Sequence, residues 1–444
     1  MLASLRSVFS LMLSTLLMMI GFGLASYVLP VRSVAEGWST LIISLIATGY
    51  TLGFTLSCII TPKFVARVGH VRVFAALITL LSIAILMCGL VVDWHAWIAF
   101  RAISGFAIAG SYLVVESWLN ERVTNENRGM LFSLYLIISM VGTIGGQYLV
   151  PLGDPGNTSL FILCGVLFSL ALLPTALSTS AMPAPPAQAN FDLAGLFRRS
   201  PVAVVGAFLA GAMSGAWLNL GAVFTQKIGL STGQGATLLA ALLAGSAISQ
   251  IPIGRASDRM DRRLVMVGCG IAGIISCLTM IVFVGAGPLV LYLIAALVGS
   301  VLFPIYALNV AHANDLAQPT EYVEVSSGMM ITYGLGTISG PLMVGPVMDR
   351  FGPASLFVVL AIYFALYAGY AAWRIARRDH TEGLVAKTDF QANTVPTPGM
   401  EAVSAMSQAA ATLEEPILEE PILETGPTEM GQGDARTGQP PLTD

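Results

Sequence analysis

Twelve apolar runs, separated by short charged or Gly/Pro-containing breaks, constrain this chain more than any other feature. The first six fall at about 8–30, 39–61, 71–92, 95–118, 129–150 and 159–178. The second six fall at about 201–225, 235–254, 264–285, 288–312, 325–347 and 354–375. A helix crossing a bilayer needs about 20 mostly apolar residues, and each run has that length. Composition excludes the alternative of a soluble core: 55% of residues are hydrophobic and only 10% charged, where soluble domains carry about 25% charge. The spacing predicts an all-α membrane protein with twelve transmembrane helices.

The two sets of six repeat each other. A shift of 192 places Gly23 on Gly215, Gly37 on Gly229, Ser39-Thr40 on Ser231-Thr232, Gly53 on Gly245 and Arg67 on Arg259. A shift of 194 places Gly105 on Gly299, Tyr112 on Tyr306, Asn120 on Asn314 and Gly146 on Gly340. A nearly constant offset across a whole half implies duplication of one unit and hence two six-helix pseudo-symmetric bundles. It also decides how the apolar start is read. Residues 1–25 have signal-peptide composition, but their partner segment 201–225 lies mid-chain, so they are read as the first span.

Charge sets the expected orientation. With the N-terminus inside, fifteen Lys/Arg of the helix ends and loops fall on the cytoplasmic side and only Arg32, Lys227 and Arg350 outside, as the positive-inside rule requires. Residues 1–375 hold 17 Lys+Arg against 13 Asp+Glu, and residues 376–444 hold 4 against 12. The acidity thus belongs to the tail. The expected organisation is a bundle over 1–179, a cytoplasmic linker over 180–200, a second bundle over 201–375 and a disordered acidic cytoplasmic tail over 376–444, which includes a tandem Leu-Glu-Glu-Pro-Ile from Leu413 to Ile422.

Loops at the cytoplasmic face carry the most specific patterns. Gly254-Arg255-Ala256-Ser257-Asp258-Arg259-Met260-Asp261, followed by Arg262-Arg263, resembles the Gly-x-x-x-Asp-Arg-x-Gly loop signature of the major facilitator transporters, with Asp261 at the second Gly. The first-half copy is degenerate, with Ala66 at the Asp and Pro62 at the first Gly. Glu121 followed seven positions later by Arg128 resembles a further element of sugar-porter members. Six-plus-six spans in parallel repeat also describe that family. The resemblance covers about residues 1–375. It implies a bacterial inner-membrane carrier that binds a small-molecule solute between its halves, works as a monomer in the lipid bilayer, and keeps both termini cytoplasmic. It further implies a cytoplasmic gate of Arg67, Glu121, Arg128, Asp258, Arg259 and Asp315, in which Arg67 meets Glu121 and Arg259 meets Asp315. The glycine-rich spans two, five, eight and eleven would form the contacts between halves.

Ionisable groups at membrane depth are costly and are functional candidates by default. At 100° per residue Arg101, Gly105, Tyr112 and Glu116 share one face of the fourth span. Arg101, Tyr112 and Glu116 are therefore candidates for solute binding or proton coupling. Tyr27, Asn219, Tyr306 and Asn309 join them because the resemblance puts spans one, seven and ten around the central site. No cofactor is expected: the five cysteines are scattered through apolar runs, the four histidines are dispersed, and no phosphate-binding Gly-x4-Gly-Lys-Ser/Thr loop occurs. No basic cluster suggests nucleic acid. The reading is a secondary transporter, with proton symport as its form of coupling and no enzymatic activity. Two alternatives remain at this point, a non-transporting membrane sensor and a drug/proton antiporter, although Gly145-Gly146-Gln147 lacks the Gly-Pro that would complete the antiporter signature.

Overall fold

The computed structural model describes residues 2–122, 128–177, 193–318 and 321–377. The first part of the chain forms α1 (Leu2–Ala35), α2 (Thr40–Val68), α3 (His70–Leu90), α4 (Trp94–Arg122), α5 (Arg128–Gln147) and α6 (Ser159–Ala176). A short α7 (Leu193–Arg199) precedes α8 (Pro201–Lys227), α9 (Thr232–Arg259), α10 (Arg262–Val282), α11 (Pro288–Leu302), α12 (Pro304–Asp315), α13 (Tyr322–Phe351) and α14 (Ser355–Arg377). Among the described residues there is no β-strand. Eleven helical segments are long and apolar enough to cross a membrane, with α11 and α12 counted as one 28-residue segment. The 30-residue α13 is not among the eleven. Its Gly, Ser, Thr and Pro residues and its terminal Glu324, Asp349 and Arg350 dilute its apolar content.

Each predicted run lies on a helix, with two departures. The run at 288–312 is divided at Phe303, because Pro304 has no amide hydrogen to donate and its ring blocks the carbonyl one turn back. Tyr306 and Asn309 follow directly on that break. The second departure is α7, a seven-residue helix at the end of the expected linker. Its Leu196 is buried beside Gly328 of α13, and Arg199 pairs with Glu321 at 2.5 Å. Residues 178–192 and the tail from 378 onward lie outside the described residues.

The internal repeat is visible at atomic detail. Gly37 and Gly229 both have positive φ, 73° and 81°, which glycine adopts without a steric penalty. The amides of Trp38 and Leu230 each donate to a carbonyl five residues back, at Ser33 and Thr225, both 3.1 Å. This is the Schellman ending of a helix. Two residues after each glycine a serine caps the next helix: Ser39 Oγ accepts from Ile42 N and Ser231 Oγ from Gln234 N, both at 3.3 Å. A serine at this position stabilises a helix by about 1 kcal/mol.

Glycine contacts repeat in the same register. A Cβ on Gly53 would strike the Ala102 carbonyl of α4, and one on Gly245 would strike the Ala296 carbonyl of α11. Gly146 likewise lies against Ile20 of α1, and Gly340 against Ala212 of α8. These glycines therefore permit close crossings within each half, α2 on α4 and α5 on α1, then α9 on α11 and α13 on α8, rather than contacts between halves. Small residues carry helix packing in membranes because backbones must approach closely. The halves meet through α1 with α8, α2 with α13 and α5 with α9, so spans two, five, eight and eleven do lie at contacts between halves, where Gly345 faces Ser44 and Gly334 faces Thr55.

Candidate functional site

The α4 stripe becomes an aromatic and ionisable column. The Arg101 guanidinium stands over the Tyr50 ring of α2, with its central carbon 4.2 Å from the ring centroid. Gly105, one turn on, packs on the Tyr50 carbonyl, so this part of the stripe is a tight helix crossing. Farther along, the Tyr112 hydroxyl donates to Met19 Sδ of α1 at 3.3 Å. Glu116 is fully buried and accepts a hydrogen bond from the Tyr135 hydroxyl of α5 at 2.8 Å. The structure thus brings Arg101, Tyr112 and Glu116 onto one face, with Tyr50, Met19 and Tyr135 around them.

The other solute candidates are dispersed. Tyr306 makes an edge-on contact with Tyr333 of α13, centroids 4.7 Å apart. Asn309 is fully buried and turns away, donating to Ile305 O at 2.7 Å and to the Tyr367 hydroxyl of α14 at 3.3 Å. The Asn219 amide donates to Gly215 O of its own helix at 2.8 Å. Tyr27 reaches across the halves, its hydroxyl donating to Thr232 O at 2.7 Å.

That contact belongs to a group of bonds joining the halves at the end of the molecule holding the α1–α2 and α8–α9 turns. Tyr148 donates to Thr237 Oγ1 at 3.0 Å. Asp349, at the end of α13, accepts from the amides of Thr40 and Leu41 at 2.9 and 3.0 Å. Lys227, ending α8, bonds Thr40 Oγ1 at 2.6 Å and Asp349 at 3.2 Å. A carboxylate at a helix N-terminus satisfies unpaired amides and meets the positive end of the dipole. Sequence reasoning missed this group. The signal was present, since Gly345-Pro346-Val347-Met348-Asp349-Arg350-Phe351-Gly352 is the complete Gly-x-x-x-Asp-Arg-x-Gly pattern. It lies at the end assigned to the outside, where no gate was sought.

At the opposite end the expected pairing needs correction. Asp315 pairs with Arg262, not Arg259, through Nε at 2.6 Å and Nη2 at 3.2 Å. The Arg262 side chain is 1% exposed and also bonds Ser257 Oγ at 2.5 Å and Asp258 at 3.3 Å. Arg259 is exposed, as is Arg67. Asp258 is a partner of Arg262 four residues on, a pairing that was not expected. That i,i+4 spacing of acid and base was the available clue. The side chains of Glu121 and Arg128 lie outside the described residues. Near this end, Arg199 holds the Glu321 carboxyl below the usual carboxylate range, with help from the Gln318 amide.

Known proteins match over most of the chain. The Major Facilitator Superfamily profile matches residues 11–241 and 202–413. An uncharacterized MFS-type transporter of Yersinia pestis (strain Pestoides F) is 26% identical over 362 residues, 80% of this chain and 92% of the relative. One from Enterobacter sp. (strain 638) is 24% identical, covering 82% and 94%. Among solved structures, the nucleoside transporter NupG superposes with TM-score 0.67 at 16% identity, covering 85% of this chain and all of that one. A bacterial homologue of the lysosomal transporter Spinster, inward-facing and unoccupied, gives TM-score 0.61 at 16% identity, covering 93% and 94%. With its helical segments suited to a bilayer and its two halves in one register, the chain belongs to the Major Facilitator Superfamily of membrane transporters.

Proposed function

We propose that this protein is a secondary transporter that moves a small solute by alternating access, as a monomer in a bacterial inner membrane. The carrying observation is the group of bonds that fasten the halves at the α1–α2 end: Asp349 and Lys227 on α2, Tyr27 on α9, and Tyr148 with Thr237. With the N-terminus inside, that end is the external one, and the arrangement is that of an externally closed state. In this reading α13 is the eleventh span and brings the count to twelve. Residues 1–179 and 201–375 form two six-helix bundles that rock about the α4 stripe, linked by 180–200, and the acidic tail from 376 is cytoplasmic.

Glu116 carries the coupling proton in this account. It is a buried carboxyl near the cytoplasmic end of α4, and Tyr135 stands within hydrogen-bonding distance to exchange partners with it. Protonation neutralises the group and so lowers the cost of moving it through an apolar bundle. Arg101, Tyr112, Asn219 and Tyr306 line the solute path, and Tyr27 belongs to the external closure. The cytoplasmic closure draws on Arg67, Glu121, Arg128, Asp258, Arg259 and Asp315, with Arg262 holding Asp315 in place.

A two-sided accessibility measurement tests the transport reading without knowledge of the solute. Asn219→Cys, in a background freed of the five native cysteines, is labelled with an impermeant thiol reagent from either face of membrane vesicles. Alternating access predicts labelling from both faces, with Asp349→Asn raising the external rate. Labelling from one face only, in both backgrounds, contradicts it.

A further inference from the structure

Arg101 lies seven residues inside α4, about 10 Å from the start of the helix at 1.5 Å per residue. Several other basic groups at helix ends have acid partners: Arg32 with Glu36, Lys227 with Asp349, Arg262 with Asp258 and Asp315, Arg263 with Asp261. Arg101 has no carboxylate within 4.0 Å among the described residues, and its one close contact of note is the face of Tyr50. Glu116 is fifteen residues farther along the same helix, about 22 Å by helical rise, and is engaged by Tyr135. Neither group neutralises the other.

A guanidinium presents five N–H donors in a planar fork and keeps its charge in any protein environment. Leaving one at membrane depth without an acceptor is expensive, and an aromatic face offsets only part of that cost. The Arg101 side chain is only partly buried, so part of its surface remains accessible. A permanent cation, reachable and lacking an anion, is what an empty anion subsite requires.

Building on the transport reading above, we propose that the carried solute is an organic carboxylate, whose two oxygens take the Arg101 fork while its body lies along Tyr50 and Tyr112. A carboxylate matches the fork with two parallel charge-assisted bonds. Tyr50 meets the guanidinium from one side and leaves the fork edge for the ligand. The Tyr50 ring, with Phe54 at 6.2 Å, supplies an aromatic wall for an apolar body. Tyr112 continues that wall three turns along the stripe, its hydroxyl held by Met19. A solute bearing one negative charge, moved with the proton of Glu116, crosses without net charge.

Melting of the full-length protein in detergent tests this, using matched acid and amide pairs as probes: benzoate and benzamide, phenylacetate and phenylacetamide, 4-phenylbutyrate and 4-phenylbutyramide, indole-3-acetate and indole-3-acetamide. At least one acid should raise the melting temperature by several degrees where its amide at equal concentration does not. Arg101→Gln should weaken that acid at least tenfold, and Arg101→Lys, which keeps the charge but loses the fork, should retain part of the binding and control for folding. Three results overturn the proposal: an amide as effective as its acid, acid binding that survives Arg101→Gln, or no stabilisation by any acid of the set. The Asn219 measurement separates the two readings. Two-sided labelling without acid binding sinks the carboxylate and keeps transport; acid binding with one-sided labelling does the reverse.

Discussion

Asp349 caps α2 at Thr40: a carboxylate from the last turn of α13 accepts the Thr40 amide at 2.9 Å and the Leu41 amide at 3.0 Å. The donors belong to one half of the chain and the acceptor to the other, so the proposed rocking would break both bonds. Removing the charge at such a cap costs about 1 kcal/mol. Asp349→Asn should therefore shift the balance of states about fivefold away from external closure, read as the external labelling rate at Asn219→Cys. An unchanged rate would leave Asp349 as a surface charge.

The Arg262–Asp315 pair is buried, so breaking it from one side strands a charge. Such losses cost about 3–5 kcal/mol. Arg262→Ala and Asp315→Asn should each lower the melting temperature markedly, while Arg259→Ala, at an exposed position, should change stability by no more than about 0.5 kcal/mol. Equal effects of Arg259→Ala and Arg262→Ala would remove the distinction.

Glu116→Gln should mimic a permanently protonated carrier. With an acid identified by melting as the solute, accumulation against its gradient under an imposed pH difference should vanish, while exchange of solute across the membrane persists. A merely structural Glu116 would lose both together, through protein level or binding. Wild-type accumulation in Glu116→Gln would end the coupling role.

The Arg199–Glu321 pair ties α7 to the start of α13, and its pH dependence has a definite sign. The Glu321 carboxyl is held below its ordinary value, chiefly by Arg199. A depressed carboxyl stabilises the folded contact above its unfolded pKa of about 4.3 and loses that contribution as pH falls through the lower folded value. A spin label at the exposed Phe197 of α7 should keep constant mobility from pH 8 to pH 5, and loosen only below about pH 4. Loosening between pH 7 and 5 would contradict the assignment. The pair is solvent-exposed, so its worth is about 1 kcal/mol or less.

Much of this was legible in the sequence because duplication leaves one register. The offsets that matched Gly37 with Gly229 and Ser39 with Ser231 also matched their turns and caps, since a positive φ and an N-cap are local requirements that a residue type reveals. Direction around a helix is different. A glycine announces a close approach without naming the helix that approaches, which is why Gly53 and Gly146 turned out to pack within their half. Asp315 chose Arg262 over Arg259 for the same reason, because three residues and a loop turn separate one helix face from another. Tyr50 escaped notice because nothing in its own segment marks it. Only the placement of Arg101 against it does so.

Distances between the two halves at both ends distinguish alternating access from a static bundle. Spin labels are placed at Glu36 and Ser231 for one end, and at Val68 and Met260 for the other, in a background freed of native cysteines. Alternating access requires opposite movement: Asp349→Asn should lengthen the Glu36–Ser231 distance in a growing fraction of molecules and shorten Val68–Met260 in the same fraction. Both pairs moving in the same direction, or neither moving, would contradict it.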